Sequence, residues 1–181
     1  IGGGSSSAGN GSLIVNNGAT LNNSGNGSSL GSFNGVNHAS GRGYLGLNAN
    51  STGVATFTGE NSIWQNSGNL YIGGHDSGAG GNGSLIISDG GVVTPANITI
   101  WQTGSLSGNG GTLVGNVTNH GLIGPGNSPG TLTISQGSLF LADSSTLAFD
   151  ITGQIPGTEY DQLFVDGDFT IAGLFTLNFD G

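Results

Sequence analysis

The sequence predicts an all-β fold, a right-handed parallel β-helix (a β-solenoid) forming a single domain, and three observations carry that expectation. The first is a near-repeat. Ile1-Gly2, nine small or polar residues and Ser12-Leu13-Ile14-Val15 return as Ile72-Gly73, a Gly/Ser/Asn stretch and Gly83-Ser84-Leu85-Ile86-Ile87, with a looser copy from Leu45-Gly46 to Gly53-Val54-Ala55-Thr56-Phe57. Each copy reads as strand, glycine corner, strand, a unit that buries its apolar side chains only by stacking on its neighbours. The second is punctuation. Asn10-Gly11, Asn17-Gly18, Asn82-Gly83, Asp89-Gly90, Asn109-Gly110 and Asp166-Gly167 are turn pairs set between short apolar runs. The third is the lack of any capped segment with helical periodicity. Right-handedness follows from the general preference of parallel crossovers.

Taken in order, short runs of β-branched, aromatic and leucine residues bounded by Gly, Asn, Asp or Ser mark the strands. The early ones fall at 12–15, 19–21, 43–47, 54–58, 62–64 and 69–72. The next fall at 84–88, 92–94, 97–101, 112–114 and 122–123. The last fall at 131–135, 138–141, 146–151, 162–165, 169–171 and 174–179, where Thr146-Leu147-Ala148-Phe149 and Leu174-Phe175-Thr176-Leu177 alternate most clearly. Coils of about 20–25 residues, seven or eight of them, would make a rod roughly 35 Å long at 4.8 Å per rung. Residues 1–124 read as Gly/Asn/Ser-rich repeats, and 125–181 as their continuation with longer, more acidic strands.

Composition bounds the function. Glycine supplies 39 of 181 residues, yet charged residues make up only 6 %, far below the level of disordered tracts. Lysine is absent and Arg42 is the one basic side chain apart from histidine, giving a net charge of −9. Nucleic acid is therefore excluded as a partner, because phosphate binding needs Lys and Arg. Docking on anionic lipid is disfavoured for the same reason. No run approaches the roughly 18 apolar residues of a spanning helix, so membrane insertion is not expected. There is no cysteine, which suits an exported bacterial protein that does without disulfides. Ile1-Gly2-Gly3-Gly4 lacks the basic and apolar regions of a signal peptide, so the chain reads as processed or as part of a longer product.

Several segments resemble a known family. Gly53-Val54-Ala55-Thr56-Phe57-Thr58-Gly59 continuing to Ile63-Trp64 and Asn69-Leu70-Tyr71-Ile72-Gly73 is similar to the repeat of autotransporter passengers and of PEP-CTERM-associated surface proteins. Gly83-Ser84-Leu85-Ile86-Ile87-Ser88-Asp89-Gly90-Gly91 is similar to it as well. Gly121-Leu122-Ile123-Gly124-Pro125-Gly126-Asn127-Ser128-Pro129-Gly130-Thr131 resembles a second hallmark of these passengers, followed in the usual order by Phe149-Asp150-Ile151 and Tyr160-Asp161-Gln162-Leu163. The resemblance implies an exported right-handed β-helix, extracellular or on the surface of a Gram-negative cell, concerned with adhesion or matrix. It implies no catalytic residues. A translocator barrel and a sorting tail are not part of the sequence.

Candidate sites give way to simpler readings. Gly126-Asn127-Ser128-Pro129-Gly130 fits the nucleophile-elbow spacing, but Pro129 has no N–H to offer an oxyanion, so it reads as a turn. Gly41-Arg42-Gly43-Tyr44-Leu45-Gly46 fits a dinucleotide fingerprint without its βαβ unit. Gly80-Gly81-Asn82-Gly83 starts like a calcium nonapeptide, but Leu85 stands where an aspartate belongs. Asp161, Asp166 and Asp168, beside Glu159, are the candidates for calcium; Asp166 and Asp168 would share a strand face, but they flank an Asp-Gly turn and read more simply as solvated. His38, His75 and His120 lack metal-ligand spacing. Trp64, Trp101, Tyr44, Tyr71, Phe33 and Phe57 form either a sugar-stacking strip or stacked ladders of the solenoid itself.

The expected function is a non-enzymatic structural or adhesive subunit of an extracellular fibre. Solenoid ends present unpaired backbone groups, and neither end of this sequence carries a helix or a charged cap, so self-association through the ends is the partner expectation, with cell-surface or matrix glycans second; the alternative is that coils outside this sequence supply the caps. No cofactor is expected. A carbohydrate-active or carbohydrate-binding β-helix is the alternative; a polyuronide enzyme of this fold needs Lys or Arg beside its carboxylates, and the chain offers one arginine. Ice binding wants a flat threonine array, whereas threonine here is scattered.

Overall fold

The computed structural model describes residues 9–23, 41–126 and 129–179. Small polar and apolar residues alternate through these segments and make short strands that come in threes. β1 (Asn10–Val15), β2 (Thr20–Asn23) and β3 (Gly43–Leu45) are followed by β4 (Thr52–Thr58), β5 (Ile63–Asn66) and β6 (Leu70–Ile72). A small hairpin, β7 (Gly74–His75) and β8 (Gly78–Ala79), precedes β9 (Asn82–Ser88), β10 (Val92–Thr94) and β11 (Asn97–Ile100). Then come β12 (Gly104–Gly108), β13 (Gly111–Val114), β14 (Asn116–Asn119), β15 (Leu122–Pro125), β16 (Thr131–Ser135) and β17 (Leu139–Leu141). β18 (Thr146–Ile151), β19 (Gln162–Val165), β20 (Phe169–Ile171) and β21 (Leu174–Phe179) complete the series.

The chain visits three sheets in fixed rotation. The first strand of each triplet joins a seven-stranded sheet, β1-β4-β9-β12-β15-β18-β21, and the second and third strands build two six-stranded sheets. Every strand pair inside these three sheets is parallel, and among the described strands the β7–β8 hairpin is the antiparallel pair; isolated antiparallel bridges join Ser88 to Gly110, Gly108 to Gly126 and Ile151 to Tyr160. No helix occurs among the described residues, and the all-β, parallel-sheet architecture is consistent with a β-solenoid. Strands on either side of Pro125 belong to the same sheets.

The sequence copies are neighbours in space. Gly11, Gly53, Gly83 and Gly104 pair in succession, so Ser12-Leu13-Ile14-Val15, Val54-Ala55-Thr56-Phe57 and Ser84-Leu85-Ile86-Ile87 lie directly on one another. The fourth member, Gly104-Ser105-Leu106-Ser107, was not expected as a strand, and neither was Asn116–Asn119. Both are too poor in β-forming residues to be recognised alone and are held by parallel partners on each side. The expected coil length is also corrected. The step from Ser105 to its partner Leu122 is 17 residues, and that from Asn10 to Thr52 is 42. Insertions between the strands absorb the difference without shifting the register.

Inward residues stack into columns. Trp64, Val93, Leu113 and Ile134 succeed one another in the second sheet, all fully buried. Ala55, Leu85, Leu106, Ile123 and Leu147 do the same in the first. A one-residue slip would turn each strand's apolar set outward, so every column fixes its neighbours' register. Several glycines near the corners leave no room for a Cβ. A Cβ on Gly83 would overlap the backbone of Gly73 and Leu45, and one on Gly104 would overlap the carbonyl of Ile72. Gly43 leaves room for Trp64, whose ring would lie 3.0 Å from an added Cβ.

Buried polar side chains sit at corners as well. Ser51 and Ser145 donate to the carbonyls of Asn48 (2.6 Å) and Ala142 (2.7 Å), and Asn66 donates to that of Gly68 (2.7 Å). Asn119, fully buried in a column with Ile100 and Leu141, accepts the Gly121 N–H at 2.9 Å. Each such group is satisfied locally, which the low dielectric of the interior requires.

Replacing Gly83 by Ala is expected to destabilise the fold by about 1–3 kcal/mol, since the methyl must displace backbone. Gly124→Ala, where an added Cβ meets nothing within 4 Å, is expected to stay within about 0.5 kcal/mol of the parent. Urea unfolding of the two variants measures the difference.

Candidate functional site

The acidic residues of the last triplet do not converge. Asp161 precedes β19 and is 5 % exposed, whereas Asp166 and Asp168 lie in the corner after β19, at its other end. Five residues of extended chain place Asp161 and Asp166 roughly 16 Å apart, too far to share one hard cation. Asp166 and Asp168 flank the Asp166-Gly167 turn that the sequence marks, and they do not share a strand face. Among the described residues, no group of three or more His, Asp or Glu side chains is arranged to hold a metal.

Asp161 serves the backbone instead. Its Oδ1 accepts the Gly130 N–H at 2.6 Å and its Oδ2 accepts the Asp150 N–H at 2.8 Å. One carboxylate thus ties the turn entering β16 to strand β18. Burial pushes its pKa above the usual aspartate range, while the two amide donors pull it part of the way back. Asp166 Oδ2 similarly accepts the Gln136 N–H at 3.0 Å. The Tyr-Asp-Gln-Leu segment and the Pro-Gly turn 31 residues before it are thus physically linked. Ser128 lies outside the described residues.

Arg42 and the two described histidines are engaged locally. Arg42 pairs with Asp76 at 3.4 Å and hydrogen-bonds Tyr44, whose hydroxyl, chiefly, raises the guanidinium pKa. His75 Nδ1 faces both Ser77 Oγ (3.0 Å) and Asp76 (3.7 Å). A Ser–His–Asp relay needs the serine and the aspartate on opposite ring nitrogens, so this arrangement is not one. His120 stacks on Trp101 with ring centroids 5.2 Å apart, and the Trp101 indole N–H donates to the His75 carbonyl at 2.8 Å. His38 lies outside the described residues.

The aromatic side chains form no open strip. Trp64 and Phe57 are fully buried and stacked on one another at 5.3 Å. Tyr44 and Tyr71 pair in register in the third sheet, stack at 5.3 Å and are nearly buried with Leu47. Of the six aromatics, Trp101 alone is seen partly exposed, and it packs on the β7–β8 hairpin; Phe33 is outside the described residues.

The surface that stands out is the last strand of each sheet. The columns through Leu139, Leu141 and Leu147 are buried at those residues, with 1 % or less exposed. One step further they end in Phe169, Ile171 and Phe175, which are 44–51 % exposed. Leu177 (44 %) and Phe179 (69 %) extend the same inward row of β21. The side chains that would form the next core layer therefore face solvent, beside the unpaired backbone edges of β19, β20 and β21. Sequence reasoning singled out the apolar strand ending at Phe179 but not the width of this exposed face; the signal was the core column that each of these residues continues. It also missed the outward ladder of Asn69, Asn97 and Asn116, whose amides bond in sequence at 3.2 and 3.5 Å.

Because the Asp161 carboxyl is raised in the fold, its contribution to stability is full below the ordinary aspartate pKa of about 4 and is lost as pH rises through the folded value. The melting temperature of the parent is expected to fall as pH is raised from 4 to 7, and Asp161→Asn is expected to flatten that slope; thermal unfolding followed by circular dichroism checks both. Compared with family models, curated proteins and solved structures, this chain matches none.

Proposed function

We propose that this chain is a non-enzymatic structural subunit of an extracellular or cell-surface fibre, a right-handed parallel β-helix whose copies stack end to end. The supporting observation is the row of Phe169, Ile171, Phe175, Leu177 and Phe179, core-facing in register yet 44–69 % exposed. Monomeric soluble proteins rarely leave so much apolar surface on one face. Completing the burial of each of these half-exposed side chains contributes roughly 1 kcal/mol, and a further strand on each open edge satisfies backbone donors and acceptors as well.

Export and an adhesive role rest on the resemblance of the repeats to autotransporter passengers. The non-enzymatic reading is supported by the carboxylates, since Asp161 and Asp166 are engaged with backbone amides.

Purified protein is expected to form unbranched fibres of constant width whose length grows with concentration, seen by negative-stain electron microscopy. Phe175→Asp with Leu177→Asp is expected to keep the β-sheet circular dichroism while cutting fibre mass at least 10-fold. Monodisperse short rods at every concentration would sink the proposal.

A further inference from the structure

Asparagine followed by glycine occurs four times among the described residues, as Asn10-Gly11, Asn17-Gly18, Asn82-Gly83 and Asn109-Gly110. We propose that Asn17 is a site of spontaneous covalent modification, deamidation through a cyclic imide, and that the stacked layers protect Asn82 and Asn109 from the same reaction.

The chemistry needs only water and its hydroxide. The Gly18 backbone nitrogen gives up its proton to hydroxide and attacks Cγ of Asn17. The new N–Cγ bond closes a five-membered imide, the Cγ–Nδ2 bond breaks, and the amide nitrogen takes a proton from water and leaves as ammonia. One water then opens the ring at either carbonyl. The product is aspartate or, with the main chain rerouted through the side chain, isoaspartate. Glycine after the asparagine favours the attack because no Cβ obstructs it.

In the folded protein the reaction requires a glycine nitrogen that can be released and a turn that can rotate. Asn17 and Gly18 form a left-handed turn, with φ of +54° and +77°. Residues 16–20 are all exposed. The turn is closed by the Ala19 N–H on the Asn16 carbonyl at 3.1 Å, and the Gly18 N–H donates to a side-chain hydroxyl, Ser62 Oγ, at 3.2 Å. Asn17 Nδ2 meets Asn16 Oδ1 at 3.4 Å, beyond the usual hydrogen-bond range. Asp89-Gly90 has nearly the same dihedral angles, φ 52° and 84°, but there the glycine N–H is held by the Gly110 carbonyl at 2.9 Å. Anchoring, and not the type of turn, sets Asn17-Gly18 apart.

The protected pairs are tied to the layers on both sides. Gly83 is buried; its N–H donates to the Thr103 carbonyl at 3.1 Å, and the Asn82 N–H donates to the Ser51 carbonyl at 2.8 Å. The Gly110 N–H donates to the Thr131 carbonyl at 2.7 Å, while the Asn109 and Gly110 carbonyls accept the N–H groups of Asp89 and Gly90 at 2.8 and 2.9 Å. Asn109 Oδ1, attached to the carbon that would be attacked, accepts the Thr131 N–H at 3.1 Å. Freeing either of these glycine nitrogens parts one layer from the next, whereas freeing that of Gly18 releases a single exposed turn. Local opening costs less where fewer bonds and buried contacts are lost. The modified turn carries a new carboxylate beside Glu60 and Asn61, whose atoms lie 3.7 and 3.8 Å from a Cβ built on Gly18. Isoaspartate also adds one carbon to the main chain between β1 and β2.

Warming the folded protein at mildly alkaline pH, with each asparagine followed by peptide mapping and mass spectrometry, tests this directly. Asn17 is expected to convert roughly 10-fold or more faster than Asn82 and Asn109, with part of the product labelled by an isoaspartate methyltransferase. In urea sufficient to unfold the chain, the three rates are expected to come together. Conversion of Asn82 or Asn109 as fast as Asn17 in the folded protein would overturn the proposal. So would an Asn17 that stays intact in the folded protein while converting in urea.

Discussion

Parallel pairing in strict register between successive strands is the constraint on which everything else in this molecule depends. Each triplet of strands is too short and too poor in apolar residues to bury anything by itself. Stacked, the triplets place Trp64 against Val93 and Leu85 against Leu106, and a narrow core runs the length of the sheets. Stability in such an array is approximately a sum of unit and neighbour terms. Insertions as different as the β7–β8 hairpin and the segment between β18 and β19 are tolerated because they leave the columns alone.

The corners explain the unusual composition. Three sheets meeting around a narrow core require sharp changes of direction once or more per strand, where backbone approaches backbone. Glycine fits where a Cβ would strike a carbonyl, as at Gly83, Gly104 and Gly121. Serine and asparagine fit where a buried backbone group needs a partner, as at Ser51, Ser145, Asn66 and Asn119. A sequence so rich in Gly, Ser and Asn reads as disorder by composition alone, yet here those residues are the joints of an ordered frame. Asp161 performs the same service with a charge, at the cost of burying it.

A linear stack has two ends, and these are its main chemical opportunity. The sides carry serine, threonine and asparagine with few charges; Asp161 and Asp166 accept backbone amides, and His75 and His120 contact neighbouring side chains. What remains unsatisfied is the apolar row and the backbone edges of the last strands. One more layer of the same kind would cover both, and the proposed assembly rests on that.

How far the sequence could be read depended on whether a feature was local or shared between layers. The repeat of Gly-Ser-Leu-Ile, the turn pairs and the inward alternation of Val54 through Thr58 are local, and they determined an all-β chain whose copies stack. The polar strands Gly104–Gly108 and Asn116–Asn119 are strands only because neighbours on both sides pair with them. The separation of Asp161 from Asp166, the burial of Trp64 and the Asn69–Asn97–Asn116 ladder were likewise decided by the tertiary structure. In a stack the partner of a residue lies one layer away, 17 to 43 residues along the chain. The loops set that interval, and their lengths follow no period that short-range pattern can supply.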